Sequence, residues 1–152
     1  MFLKRFYWFA KVFTVVFGVG LMPSVGAQDI SINDLLEIAR KGNAKAQYSL
    51  GDIYDRGEGV AKDYKEAVRW FQLSAAQGYA PAQHNLGVMY AMGQYVPQDD
   101  IQAYMWLSLA ALRLTDQDYE VFVATREAVA KEMTSEQIER AEQLSREWKP
   151  KQ

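Results

Sequence analysis

The chain has 152 residues, no cysteine and a formal net charge of −2, from 17 basic and 19 acidic side chains. The absence of cysteine excludes disulfides, thiolate metal sites, a thiol nucleophile and lipoprotein-type acylation. The slight acidity gives a nucleic-acid backbone nothing to hold.

The first element is a leader. Lys4, Arg5 and Lys11 precede an apolar and glycine stretch from Val12 to Met22 with Thr14 its one polar residue, Pro23 ends it, and Val25-Gly26-Ala27 supplies the small or branched residues a signal peptidase reads. This pattern predicts a secretory signal peptide over 1–27, cut between Ala27 and Gln28. The alternative is an uncleaved inner-membrane anchor. Val12 to Met22 is shorter than the ~20 residues a spanning helix needs. Extending it back to Phe6 would put Lys11 in hydrocarbon, at about 2.5 kcal/mol or more. Cleavage would remove three cations and no acid, moving the net charge to −2 − 3 = −5. The expected location is therefore the periplasm or the medium, and a single domain of this size does not depend on disulfide bridges there.

A capping helix is expected over 31–42, with Leu35, Ile38 and Ala39 on one face. The chain then repeats itself. A shift of 36 residues (82 − 46) carries Ala46-Gln47 onto Ala82-Gln83, Leu50-Gly51 onto Leu86-Gly87 and Tyr54 onto Tyr90. The same shift carries Gly57 onto Gly93, Asp63 onto Asp99, Ala67 onto Ala103, Trp70 onto Trp106 and Ala75 onto Ala111. A fixed period of this length marks a solenoid, so repeat units are predicted over 43–78 and 79–114.

Each unit reads as two helices. In the first, Ala46, Leu50 and Tyr54 form an i, i+4, i+8 stripe. Gly51 lies inside that helix, where glycine costs about 0.5–1 kcal/mol against alanine; such a cost fits a neighbour that must approach closer than a methyl group allows. Gly57 is placed as a left-handed C-cap and Gly59 lets the link turn back. Asp63 is placed to cap the second helix, with Glu66 as its return partner. Ala67, Trp70 or Phe71, and Ser74 face inward, and Gly78 ends the helix before Pro81 opens the next. A phosphate-binding loop would need a preceding strand and a Gly-Lys-Ser/Thr ending, and neither is present.

A C-terminal helical cap is expected over 115–149. Tyr119, Phe122, Val123 and Val129 make one stripe. Thr134 opens a capping box before Ile138, Ala141, Leu144 or Ser145, and Trp148.

The stretch "AQYSLGDIYDRGEGVAKDYKEAVRWFQLSAAQGYAPAQHNLGVMYAMG" resembles the Sel-one-like repeat family, relatives of the tetratricopeptide repeat. The likeness rests on Leu-Gly-x-x-Tyr, Gly-x-Gly-Val, Trp-Phe and Ala-x-Gln-Gly at matching separations, and covers about Leu35 to Leu112. The second unit departs from the pattern where Tyr95 replaces the second loop glycine and Pro97 follows. The resemblance implies an all-α fold, a short right-handed α-solenoid of antiparallel helix pairs. Some secreted, cysteine-rich relatives bind penicillin or hydrolyse β-lactams weakly. Here their cysteines and a Ser-x-x-Lys motif are both missing, so that activity is not carried over.

Chemistry is sparse. His84 is the only histidine, which removes any triad or histidine-metal cluster. Asp99 and Asp100, like Asp116 and Asp118, stand at helix starts, where acids serve the helix dipole. Trp70 and Trp106 occupy matching core positions, leaving Trp148 for the surface. No catalytic, cofactor-binding or metal residue is expected. What remains is a surface on the first helices, which line the concave wall of tetratricopeptide-like stacks. Tyr48, Asp52 and Asp55 fall opposite Ala46, Leu50 and Tyr54; His84, Val88 and Ala91 are their counterparts, and Lys45 and Asn85 border the stripe. The expectation is a non-enzymatic exported adaptor gripping a protein or extended peptide there, with Asp52 and Asp55 favouring a basic segment. The alternatives are an envelope enzyme acting on peptidoglycan or β-lactam, and a membrane-tethered assembly factor with an uncleaved leader.

Overall fold

In the computed structural model, the described residues are 31–113 and 117–151. The leader and its expected cut after Ala27 lie outside them, as do Thr115 and Asp116. The described residues form seven helices and no strand: α1 (Ile32–Arg40), α2 (Ala44–Arg56), α3 (Tyr64–Ala76), α4 (Ala80–Met92), α5 (Asp100–Ala111), α6 (Gln117–Ala130) and α7 (Ser135–Glu147). They build an all-α helical repeat solenoid, in which α2 pairs with α3 and α4 with α5.

The helix starts follow from local chemistry. The Ser31 hydroxyl accepts from the Asp34 N–H, the Asn43 side chain from the Ala46 N–H, and the Asp63 carboxylate from the Lys65 and Glu66 N–H groups. Each satisfies an orphan donor of a first turn and is worth about 1 kcal/mol. The expected return bond from Glu66 is not made. Its carboxylate instead holds Arg69 at 3.2 Å, one turn further on. The capping box at Thr134 is complete: its hydroxyl accepts from the Gln137 N–H, while its own N–H donates to Gln137 Oε1.

The links between paired helices are near copies. Gly57 and Gly93 both end their helices in the left-handed region, at φ 73° and 64°. The Asp63 N–H then donates to Tyr54 O and the Asp99 N–H to Tyr90 O, each at 3.0 Å. Tyr95 does not change this turn. It adopts φ 64°, close to the 74° of its counterpart Gly59, although bulky residues rarely occupy that region.

The core repeats with the chain. One cluster holds Ala39, Ala46, Leu50 and Trp70; another holds Ala75, Ala82 and Leu86 with Trp106 packed against them, each shifted by the same 36 residues (75 − 39). The helical glycines make the packing possible. A Cβ at Gly51 would lie 2.7 Å from the Phe71 ring, and one at Gly87 would lie 2.7 Å from Leu107 Cγ and 3.1 Å from the Ala103 carbonyl oxygen. Buried glutamines join the units. Gln47 Nε2 donates to Ala39 O and Gln83 Nε2 to Ala75 O, securing the last turn of the preceding helix.

The C-terminal helices cover the second repeat differently from a third hairpin. Both α6 and α7 pack on α5 yet scarcely touch each other. The connection between them, 131–134, is shorter than the links 57–63 and 93–99 and has no glycine with which to turn back. Beyond α7 the chain returns along the array: Trp148 meets Trp106 edge-on at 6.1 Å, and the Lys151 N–H donates to Ala76 O at the end of α3. Trp148 is therefore half-buried rather than a surface ring.

Candidate functional site

Four of the seven expected contact residues stand on α2. Lys45 is exposed at its first turn, followed along the helix by Tyr48, Asp52 and Asp55, all half-buried. Tyr48 is not the open aromatic that the stripe implied. Its ring packs against Phe71 at 5.7 Å and Tyr79 at 5.4 Å, and its hydroxyl interacts with the Asn85 side chain of α4. Burial, then the Asp52 charge, pushes the Tyr48 phenol above its ordinary value, with Asn85 and Arg56 opposing.

The expected acidic character is also altered. Arg56 Nε lies 3.1 Å from Asp52 and its Nη1 lies 3.6 Å from Glu58, so Asp52 already holds a cation. The i, i+4 spacing of Asp52 and Arg56 was the signal for this pair. Burial nevertheless raises the Asp52 carboxyl above its ordinary range, outweighing the guanidinium. Asp55 is raised for the same first reason, against the pull of Lys62 and Arg56. Its Oδ1 is buried and has no hydrogen-bond partner among the described residues. A half-buried carboxylate without full compensation is shifted toward its protonated form by desolvation.

On α4 the stripe closes. Val88 and Ala91, expected to face a partner, are 9% and 1% exposed and belong to the core cluster with Ala103, Leu107, Val129 and Ala141. This corrects their assignment as surface residues. The physical reason is that α4 lies between α3 and α5 and is also met by α6. His84 stacks on Phe122 of α6, with ring centroids 3.9 Å apart. Tyr48 therefore faces α4 as His84 faces α6, which makes α6 a stand-in for the first helix of a third unit. The surface left open centres on Lys45, Asp52, Arg56 and Glu58, with Asn85 at its border.

A second surface feature went unread in the sequence. The Tyr95 ring stacks on Tyr64 with centroids 3.9 Å apart and planes at 12°, and the Lys62 ammonium stands 5.4 Å from the Tyr64 ring. The departure from glycine at position 95 was the available clue. Among the described residues no group of three His, Asp or Glu side chains is placed to hold a metal ion, and no helix is long and apolar enough to cross a membrane.

A family model described as Sel1 repeat matches residues 44–79 and 80–113. No curated protein matches the chain. Among solved structures, it is similar to a protective antigen present in uropathogenic Escherichia coli strains that displays an SLR fold. That match has 32% identity and a TM-score of 0.70, and covers 76% of this chain but only 24% of that one. The chain thus spans about a quarter of that relative's length. It is also similar to a Sel1 repeat protein from Oxalobacter formigenes, at 26% identity and TM-score 0.54, over 74% of this chain and 97% of the other. With two matched repeats, tandem helix pairs and neighbours of the same architecture, this chain is a Sel1-like repeat protein.

Proposed function

We propose that the chain is exported by its leader and works as a non-enzymatic adaptor, holding an extended segment of an envelope protein against the first repeat. The Sel1 repeat fold is commonly a protein–protein interaction module, and its members are typically scaffolds. The observation that carries the reading is the polar cluster spanning α2 and α4. Tyr48 and Asn85 engage across the two helices, and beside them the Asp52–Arg56–Glu58 charges remain partly exposed. Such a surface offers donors, acceptors and both signs of charge on a rigid support, which is what an extended peptide needs for register as well as affinity. A lysine or arginine in the partner can take the place of Arg56 on Asp52, or meet Asp55 and Glu58.

The test is crosslinking of the full-length protein in its native envelope, comparing wild type with a Tyr48→Ala, Asp52→Ala double variant. The expected result is loss of a specific adduct from the variant while its helix content is unchanged. A variant that keeps every partner would remove the first-repeat surface from consideration. The mature N-terminus is predicted to be Gln28; a membrane-bound product beginning at Met1 would contradict export with cleavage.

A further inference from the structure

Tyr95 sits where the first unit has Gly59, and it keeps a left-handed φ of 64°. An L-residue with a bulky side chain is strained in that conformation, because its Cβ crowds the following carbonyl oxygen. What the second unit gains is a ring laid on Tyr64, at the start of α3, with centroids 3.9 Å apart and planes 12° from parallel. The two hydroxyls interact with each other, so the rings stack head to head. In that register the carbons ortho to each hydroxyl lie at the same end of the stack. The two residues are 38% and 40% exposed, within reach of a small oxidant. Tyr48 and Tyr79, by comparison, are tilted at 54° with centroids 5.4 Å apart, an unfavourable start for bonding between rings. The chain has no cysteine to consume a nearby tyrosyl radical.

We infer that Tyr64 and Tyr95 form an oxidative modification site, a preorganised pair that peroxidase-type oxidants couple into dityrosine, stapling one repeat to the next. Each phenol gives up one electron and one proton to become a phenoxyl radical. The two radicals join through a new ortho carbon–carbon bond, and the hydrogens on those carbons move to the oxygens as the rings regain aromaticity. The protein loses two hydrogens in all, and one hydrogen peroxide, acting through the peroxidase, accepts them to give two waters. The product closes the chain between positions 64 and 95, constraining the unfolded state as a disulfide does. The inference does not depend on what the first-repeat surface binds.

The experiment treats dilute full-length protein with a haem peroxidase and hydrogen peroxide, then maps the product by mass spectrometry. The expected product is a monomer two hydrogens lighter, with dityrosine fluorescence, a single crosslinked peptide containing Tyr64 and Tyr95, and a raised Tm. Tyr64→Phe and Tyr95→Phe each keep the ring in place and should lose the crosslink. Peptide mapping of the wild type decides the matter even if a variant folds poorly. The inference is overturned by dityrosine at another pair, by intermolecular dimers alone through a ring such as Tyr119, 48% exposed, or by the absence of dityrosine.

Discussion

Gly51 and Gly87 occupy the same place in two helices and meet different obstacles. A Cβ at Gly51 would strike first the Phe71 ring, at 2.7 Å, whereas the nearest atoms to one at Gly87 include both Leu107 Cγ and the Ala103 carbonyl oxygen. Backbone cannot swing aside as a side chain can. Alanine would gain roughly 1 kcal/mol of helix propensity at either position, against an overpacking cost of about 1–3 kcal/mol. Gly87→Ala should therefore lower stability in urea, and by more than Gly51→Ala; equal or reversed effects would show that the helices can separate freely. Asp55 makes a prediction in pH. Its folded-state pKa is raised above the ordinary 3.8 by burial. The associated stability is thus fully present below pH 3.8 and is lost as pH rises through the folded value. Asp55→Asn removes the ionisation and should stabilise the protein at pH 7 but not at pH 3. The gain should stay below about 1 kcal/mol, because water screens a half-exposed group. Urea midpoints at the two pH values check this, and a destabilised variant at pH 7 would contradict it.

At the scale of elements, the helices were legible because their signals are local. Apolar stripes, Asp63 and Thr134 as caps, and Gly57 and Gly93 as stops are all read within one turn. The expected open stripe was only partly legible for the opposite reason. Whether Val88 faces a partner or the core depends on α6, a helix far along the chain, and no periodicity within α4 reports it. Likewise the Tyr64–Tyr95 stack depends on two links brought side by side by the superhelix. Arg56 is the contrary case: its i, i+4 pairing with Asp52 is local, was open to reading, and redraws the charge of the surface. The role of α6 is testable. Phe122→Ala deletes the ring on His84, and since Phe122 is half-buried the loss should fall below the roughly 3–5 kcal/mol of a fully buried phenylalanine. Hydrogen exchange in α6 should accelerate, and the slowest amides of α2 to α5 should accelerate together by the loss in global stability. Unchanged exchange in α6 would mean that α5 alone secures it.

For the whole molecule, the repeat period links sequence to architecture. Clusters that recur with a shift of 36 residues (106 − 70) make each repeat the packing partner of the next, and α1, α6 and α7 cover faces that two units alone would leave open. A short array of this kind depends on its interfaces: each hairpin alone buries too little, so the units should open together. The C-terminal segment adds a long-range tie, from Lys151 N–H to Ala76 O at 2.8 Å. Native-state hydrogen exchange of the full-length protein tests this most directly. The slowest amides of α2, α3, α4 and α5 are predicted to share one opening free energy, equal to that of global unfolding. If α2 and α3 instead opened at a free energy distinct from that of α4 and α5, the repeats would be independent hairpins and the interleaved core would be contradicted.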